Sequence, residues 1–594
     1  MRRNLSIAFL LAATPLVGSA HAAVAEASLS QAQLDALDPT RLGRSVCRGI
    51  DATGSTLEAR LALARKLADE RDLASDEIGL YSGIGTTDLP LGTIEPLARK
   101  YFEQGLALAY GFNHAAAIRS FRLARDIDPR CALCWWGEAM ANGPNINSGM
   151  DSEQNRRALV AIEMAQGLVA GQGGEAAALV AAQAARYSGE EGADRAALDG
   201  AYADAMLALA RANPAGNDLA ILAAEAAMNT APWDYWDLET GAPRPRIAEA
   251  VELVERVMAR NPDHPQASHL YIHLLELPQP KRAEAAADRL RASGPSALGH
   301  LVHMPSHIYY RIGRYADSKD VNVKAVAADE AYLAAVPDDG LVRFGYYPHN
   351  VHFLLTSAQM MGDVGTVVSQ SAKLAGILDI ETGRALPWVQ AIYAAPYFAQ
   401  AQYGSSDAIL ALTARPHPLE YVEAMRRYAR AVGYAQARDR AGFERELASL
   451  VALADSDGAK GMEANGFPAP LIIRLAAEVA QGRMAMASSR HGHAIGHFAA
   501  AAEMQRDIPY TEPPYWYYPV SQSLGAALFA AGRHDEARQA FRAALVEAPN
   551  NGMALYGLAR TEDALGNRLE ARAARAALRK VWQGDEAWLS MDRI

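Results

Sequence analysis

Cysteine is scarce in this sequence, with Cys47, Cys131 and Cys134 the only three among 594 residues. No second Cys-x-x-Cys pair is present to complete a four-cysteine zinc site, and Trp135 stands where c-type haem attachment requires histidine. A thioredoxin-like redox role would require a strand before the pair, and the preceding residues show no strand pattern. In an exported protein, Cys131 and Cys134 therefore predict one structural disulfide, which leaves Cys47 over.

Long hydrophobic runs and basic clusters are also missing. Beyond the N-terminus no segment approaches the ~20 apolar residues that a membrane-spanning helix requires. The net charge is −11, and no basic cluster with interleaved aromatics favours nucleic-acid binding. Gly-x-Ser-x-Gly, phosphate-loop and dinucleotide motifs do not occur in a strand-to-helix context. Half of the residues are hydrophobic, so the sequence predicts a folded chain with a large core, no membrane span and no nucleic-acid partner.

Residues 1–22 have the organisation of a cleaved export signal. Arg2 and Arg3 provide the charged start, Leu5–Val17 is mostly apolar, and Ala20-His21-Ala22 fits a small-x-small cleavage site. This pattern predicts a bacterial periplasmic or secreted protein. Export through the general or the twin-arginine route is not decided by these residues.

The rest of the chain has helical periodicity and no alternating strand pattern. Residues 23–96 are predicted to form a helical and loop region, and residues 97–594 a helical array. Within the array one spacing of 12, 4, 3 and 5 residues occurs twice with identical amino acids. The first copy comprises Gly105, Ala117, Phe121, Ala124 and Pro129. The second comprises Gly525, Ala537, Phe541, Ala544 and Pro549. Small residues suit positions where two helices touch, and proline ends the second helix.

This pattern resembles the tetratricopeptide repeat, a 34-residue helix–turn–helix unit. The clearer repeats are expected near 98–131, 264–381 and 518–585, with degenerate helical repeats between them. The resemblance implies an all-α solenoid that stacks into a superhelix with a concave groove. Phrases such as Tyr110-Gly111-Phe112-Asn113-His114 and Glu512-Pro513-Pro514-Tyr515-Trp516 are similar to those of a group of exported bacterial repeat proteins.

Histidine is concentrated in one part of the array. Eight of the fifteen histidines lie between His264 and His352, where an even distribution would place about two. Three pairs have helical spacing, because residues three or four apart share one face of a helix. These pairs are His269 with His273, His303 with His307, and His349 with His352. The resemblance implies that they face the groove, since the first helix of each repeat lines it.

Imidazole is a ligand for transition metals such as Zn, Cu and Fe, and three or four imidazoles complete a site. The six paired histidines are therefore candidate metal ligands. Glu276 lies three residues after His273, on the same helix face, and is the candidate catalytic base or supporting carboxylate. The alternatives are that the histidines bond one another, backbone and water, or that they line a pocket for an organic anion or an acidic peptide.

Three further residues are candidates for the groove: His114, Asn145 and Trp516. The first function hypothesis is a metal-dependent oxidoreductase or hydrolase that acts on a small molecule in the groove. The second is a non-enzymatic scaffold that binds a peptide or a partner protein there. Convergence of the imidazoles would favour the metal site, whereas imidazoles spaced along the groove would favour peptide binding.

Overall fold

A computed structural model describes residues 78–594, except 191, 238, 337–339, 379, 386 and 413–414. Within these residues the regular elements are helices, and the only β-bridges are two isolated ones. The prediction of an all-α solenoid is thus confirmed. The predicted signal peptide and Cys47 lie outside the described residues. No helix in the described part of the chain combines the length and apolarity of a membrane span.

Consecutive α-helices pack against one another along the chain. They are α1 (Pro96–Tyr110), α2 (His114–Ile127), α3 (Ala132–Asn142), α4 (Ser152–Val169), α5 (Glu175–Ala184), α6 (Arg195–Ala212), α7 (Asn217–Met228), α8 (Ile247–Arg260), α9 (Pro265–Leu275), α10 (Glu284–Ser293), α11 (Gly299–His303), α12 (Pro305–Arg311), α13 (Tyr315–Ala335), α14 (Tyr347–Met361), α15 (Val364–Ile377), α16 (Ile380–Ala385), α17 (Pro387–Tyr403), α18 (Ser406–Leu412), α19 (Glu420–Gln436), α20 (Arg440–Leu453), α21 (Asp457–Ala464), α22 (Ala469–Ala487), α23 (His491–Arg506), α24 (Val520–Ala530), α25 (His534–Glu547), α26 (Gly552–Ala564) and α27 (Arg568–Val581). Short 3-10 helices cover Pro280–Ala283, Glu586–Trp588 and Met591–Arg593, and a π-helical turn covers Val342–Tyr346.

Glycines at equivalent positions of two repeats, Gly137 and Gly557, each let a helix approach a buried aromatic ring of the preceding helix. Phe121 of α2 and Phe541 of α25 are completely buried. A Cβ atom at Gly137 of α3 would lie 2.4 Å from the Phe121 ring, and one at Gly557 of α26 would lie 2.2 Å from the Phe541 ring. Glycine is required there because a side chain would collide with the ring of the adjacent helix.

The C-terminal repeats fold back onto the middle of the array. Asn550, between α25 and α26, donates a side-chain hydrogen bond of 3.1 Å to the carbonyl of Gly313, between α12 and α13. The backbone N–H of Gln583 donates to the carbonyl of Met361 over 2.9 Å. The superhelix therefore closes on itself, and the histidine-rich helices α9, α11, α12 and α14 lie inside.

Candidate metal centre

The histidine-rich helices converge. His269 and His273 project from α9, which starts at Pro265 and is capped by the His264 side chain. Pro305 starts α12 and separates it from α11, yet His303 and His307 remain neighbours across this junction. The ring centroids lie 4.8 Å apart both between His269 and His273 and between His303 and His307. Helical spacing thus brings the two rings of each pair into contact, as the sequence predicts.

His300 lies on α11, and its ring forms with those of His269 and His273 what we call the tri-histidine cluster. Each is buried, and one ring nitrogen from each residue lies within 4.8 Å of the other two. Four of their six ring nitrogens have no hydrogen-bond partner: Nε2 of His269, Nε2 of His273, and both nitrogens of His300. Buried polar atoms are nearly always paired, so four unpartnered nitrogens at one point make this cluster the candidate ligand-binding site.

The remaining nitrogens orient the cluster. Nδ1 of His269 lies 2.9 Å from the carbonyl oxygen of Tyr110. A carbonyl can only accept, so Nδ1 carries the proton and the Nε2 lone pair of His269 is free. Nδ1 of His273 faces Oε1 of Glu276 at 3.5 Å, which likewise favours a free Nε2 lone pair. A backbone carbonyl or carboxylate behind each imidazole is the usual support of a metal ligand.

Two aromatic residues enclose the cluster, and both have left-handed backbone conformations. Phe112, with φ 56°, contacts the rings of His269 and His273 at centroid distances of 4.7 and 6.1 Å. Trp233, with φ 64°, contacts His273 at 4.8 Å. A bulky residue with positive φ is strained, and such strain concentrates at functional sites.

A second group, the carboxylate–histidine cluster, adjoins the first and consists of Glu276, His307 and Glu512. Nδ1 of His307 lies 2.8 Å from Oε2 of Glu276 and 2.8 Å from Oε2 of Glu512. Glu276 reaches both clusters, with Oε1 towards His273 and Oε2 towards His307.

The charges in this second cluster follow from burial and pairing. Burial opposes a charge on His307, but the two carboxylates outweigh it and raise its pKa to about 10. Burial also opposes the charge on Glu276, and His307 and His273 outweigh it and lower its pKa to about 2. Burial, together with the neighbouring Glu276, raises the pKa of Glu512. In the absence of a bound cation, ionised Glu276 thus pairs with protonated His307, while Glu512 is the carboxylate that holds a proton more readily.

His303 extends this cluster. Its Nε2 lies 2.9 Å from Nε2 of His307, and its Nδ1 lies 2.6 Å from Oδ1 of Asn322. His349, half-buried, packs its ring 4.8 Å from that of His303. His303, His307 and His349 also have the proximity that a metal ion requires.

Burial keeps most of these imidazoles neutral. Removal from water is the largest influence on His269, His300, His303 and His349, and it holds the pKa of each well below 6.5. The same effect lowers the pKa of His273, against the opposing influence of Glu276. Neutral imidazole is the form that binds a metal ion, so no proton has to leave before binding.

The structure brings together five of the six histidines predicted as ligands. His352 is the exception: it is buried, and its Nε2 lies 2.8 Å from the Tyr517 hydroxyl, away from the clusters. Trp516 is buried in the core against Phe398 and Tyr428.

The remaining predicted residues form local contacts. His114 and Asn145 contact each other through Nε2 and Nδ2 over 3.1 Å, in neighbouring repeats. Cys131 and Cys134 form a disulfide at the start of α3.

Two residues of the centre were not predicted. His300 lies three residues before His303, a helical spacing that was available in the sequence. Glu512 lies more than 200 residues after His307, and only the closure of the superhelix brings them together. No local pattern around Glu512 would have revealed this contact.

Comparison with known proteins identifies the repeat. The tetratricopeptide repeat family matches residues 520–561, which span α24, α25 and most of α26. Residues 520–561 are therefore a tetratricopeptide repeat, as the sequence pattern indicates for this part of the chain. No curated protein matches the chain.

Solved repeat proteins are similar at low identity. A human IFIT1 dimer with m7Gppp-AAAA is 11% identical, with a TM-score of 0.25 over 82% of this chain and 91% of that one. Yeast Tom70 is 12% identical, with a TM-score of 0.26 over 83% of this chain and 94% of that one. The APC/C hetero-tetramer Cut9-Hcn1 is 13% identical, with a TM-score of 0.22 over 82% of this chain and 90% of that one.

Proposed function

We propose that this helical-repeat protein binds one transition-metal ion at the tri-histidine cluster and uses it to act on a small molecule. The observation that carries the proposal is the convergence of unpartnered nitrogens from His269, His273 and His300 in a buried site. A network that served only the fold would pair these nitrogens with one another or with backbone, as His303 and His307 are paired.

The donor set suits Zn, Cu or Fe, because all three accept neutral imidazole nitrogen. Metal–nitrogen bonds of about 2.0–2.1 Å place two ligand atoms at most about 4.2 Å apart. Small rotations of the three rings would close the present spacing of up to 4.8 Å. Three protein ligands leave a coordination position open, as in catalytic rather than structural zinc sites.

Such an ion would act as a Lewis acid towards a small molecule, and Cu or Fe, unlike Zn, would also be able to accept an electron from it. The chain supplies the surroundings: Phe112 and Trp233 exclude water, and Glu276 orients His273. Because Glu276 is ionised and faces His273, it is placed to accept a proton near the site.

A non-enzymatic scaffold is the second candidate, and the tetratricopeptide match at 520–561 favours it. Repeat arrays of this kind present extended surfaces to peptides and partner proteins. In this chain, however, the histidines are buried and clustered instead of spaced along an open surface. A peptide would reach them only after the array opened.

Elemental analysis of the untagged protein, after incubation with Zn, Cu and Fe salts and removal of excess metal, tests the proposal. The expected result is about one ion per chain, lost when His269 and His273 are changed to Asn. The matched control is His497→Asn, since His497 forms a more exposed pair with Glu478. No bound metal with any ion, or equal loss in the control, would contradict the proposal.

A further inference from the structure

The carboxylate–histidine cluster brings three ligand atoms together from two distant parts of the chain. Nδ1 of His307 lies 2.8 Å from Oε2 of Glu276 and 2.8 Å from Oε2 of Glu512. A ring N–H is a single donor, so its one proton cannot point straight at both carboxylates. A divalent cation has several coordination positions and can take all three atoms as ligands.

The spacing of these atoms suits ligands around one ion. All three lie within 4.8 Å of one another. Adjacent ligands of an octahedral ion with bonds of about 2.1 Å are about 3.0 Å apart. The two nitrogen–oxygen contacts of 2.8 Å are therefore already close to the length of octahedral edges.

Hydrogen bonds behind His307 fix which of its nitrogens is available. The amide nitrogen of Asn322 donates to the carbonyl of Ser318 over 2.8 Å, so the Asn322 oxygen is the atom that faces Nδ1 of His303 at 2.6 Å. Nδ1 of His303 thus carries the proton and its Nε2 accepts. This Nε2 lies 2.9 Å from Nε2 of His307. Neutral His307 therefore carries its proton on Nε2, and its Nδ1 lone pair faces the two carboxylates.

A lone pair in this position requires a positive charge between it and the carboxylates. A proton on Nδ1 of His307 supplies one charge where two carboxylates meet. A divalent ion supplies two, and it would balance Glu276 and Glu512 together while the imidazole stays neutral. Because the cluster is buried, this balance matters more than it would at the surface.

The second oxygen of each carboxylate is held elsewhere, which leaves the two Oε2 atoms for the ion. Oε1 of Glu276 faces Nδ1 of His273 at 3.5 Å. Oε1 of Glu512 accepts a hydrogen bond from the Tyr510 hydroxyl and lies 3.9 Å from Nε of Arg311. Carboxylates that bind metal ions are commonly supported by hydrogen bonds of this kind.

A cavity of about 240 Å³ provides a route to the cluster. Its wall includes Tyr510, Glu512 and Glu547. Glu512 both borders this space and contacts His307, so a rotation of the Glu512 side chain is the movement that would admit an ion. A metal site requires such an entry path.

We propose that Glu276, His307 and Glu512 bind a second divalent cation, at a site separate from the tri-histidine cluster. Two carboxylates and one imidazole suit Mn²⁺, which prefers oxygen ligands and octahedral coordination, with water in the remaining positions. The two sites share no ligand, because His273 binds through Nε2 and turns its Nδ1 to Glu276. The inference therefore does not depend on an ion at the tri-histidine cluster.

The second ion should bind more weakly than the first. It has to displace the proton that His307 carries when no cation is bound, whereas the ligands of the tri-histidine cluster are neutral beforehand. It is therefore measured with free Mn²⁺ present, whereas the first ion is measured after removal of excess metal.

Titration of the full chain, loaded with one equivalent of Zn, with MnCl₂ tests the inference, because the electron paramagnetic resonance signal of aqueous Mn²⁺ reports the free ion. The expected result is saturable binding of about one Mn²⁺ per chain, with one directly bound nitrogen detected by pulsed measurements. Glu512→Gln should weaken Mn²⁺ binding by at least about 100-fold, more than the loss of a supporting carboxylate does, and should leave the Zn content unchanged. The matched control is Glu547→Gln, a carboxylate of the same cavity outside the cluster, which should bind Mn²⁺ like the wild type.

The absence of saturable Mn²⁺ binding, bound Mn²⁺ without a nitrogen ligand, or equal affinity in Glu512→Gln and the wild type would overturn the inference. The nitrogen signal is measured on the wild type, so it does not depend on the folding of a variant. His269→Asn separates the two sites: it should lose Zn and still bind Mn²⁺. A protein that binds Mn²⁺ but no Zn would contradict the proposed function alone, and the opposite result would contradict the second site alone.

Discussion

His307 and Glu276 form a buried ion pair, with Nδ1 of the imidazole 2.8 Å from Oε2 of the carboxylate. Glu512 approaches the same nitrogen at the same distance from a distant part of the chain. One imidazolium thus joins a middle repeat to the segment that precedes the C-terminal repeats. This contact therefore links the return of the C-terminal repeats to the candidate metal centre.

Each of the two carboxylates is expected to compensate partly when the other is removed, so that the folded protein loses only part of its stability. Glu276→Gln or Glu512→Gln alone leaves His307 with one carboxylate, so each should lower the free energy of unfolding by about 1–3 kcal/mol. The double variant leaves His307 without a carboxylate, so the buried imidazole loses its proton at pH 7.5, and the loss of both ion pairs should cost about 3–5 kcal/mol. Urea unfolding at pH 7.5 measures all three. The control Glu478→Gln, in the exposed pair with His497, should cost under about 1 kcal/mol. A double variant as stable as the wild type would show that the pair is not needed.

The same two substitutions should differ in their effect on metal affinity. Glu276 faces Nδ1 of His273, whereas the imidazole that Glu512 contacts is that of His307, outside the tri-histidine cluster. Loss of a carboxylate that supports a metal-bound imidazole typically weakens binding about 10–100-fold. Competition with a chelator of known affinity should therefore show that loss for Glu276→Gln and a smaller one for Glu512→Gln. The reverse order would place the ion at the carboxylate–histidine cluster instead.

The packing of the repeats predicts opposite effects for two glycine substitutions. Gly557→Ala would place its Cβ 2.2 Å from the buried Phe541 ring and should destabilise the protein by about 1–3 kcal/mol. Gly496, in the interior of α23, has no atom within 4 Å of an added Cβ. Gly496→Ala should stabilise by about 0.5–1 kcal/mol, because alanine favours the helix. Thermal unfolding of both variants measures the difference, and a neutral Gly557→Ala would contradict the described packing.

His352 predicts a loss of stability in mild acid. Burial lowers its pKa to about 3 in the folded protein, whereas the unfolded chain titrates near ~6.5. Between these values the unfolded state binds a proton that the folded state does not. Stability is therefore fully present above ~6.5 and falls by about 1.4 kcal/mol per pH unit below it.

The glutamine variant isolates this effect. His352→Gln does not titrate and can still hydrogen-bond to Tyr517. Urea unfolding at pH 7.5 and 5.5 should show the wild type losing about 1.4 kcal/mol more than the variant. If the wild type and the variant lost the same free energy of unfolding, the pKa of His352 would have to be the same in the folded and unfolded protein.

Much of the fold was predictable because its repeats are local. The glycine and alanine positions around Phe121 and Phe541 repeat at fixed separations, and each unit packs mainly on its sequence neighbours. The pairing of His269 with His273 and of His303 with His307 followed from helical spacing alone. Which of these pairs lie in the same site depends on how the repeats stack, and only the structure shows that stacking.

The parts of the site that the sequence did not reveal depend on contacts between segments that are distant in the chain. Glu512 and Trp516 follow α23, and only the return of the C-terminal repeats brings the Glu512 carboxylate to His307. His352 has the same spacing to His349 as a ligand pair would have, yet its ring points to Tyr517. Helical periodicity fixes which residues share a face, but it does not fix what that face meets in a superhelix that closes.

Anomalous diffraction from crystals of the untagged protein, soaked in a Zn or Cu salt, tests the central claim most directly. The account predicts one strong peak about 2.0–2.1 Å from Nε2 of His269, Nε2 of His273 and one nitrogen of His300. That peak should be absent from crystals of His269→Asn. A peak confined to exposed histidines such as His493, or no peak among the buried rings, would contradict a metal centre at the tri-histidine cluster.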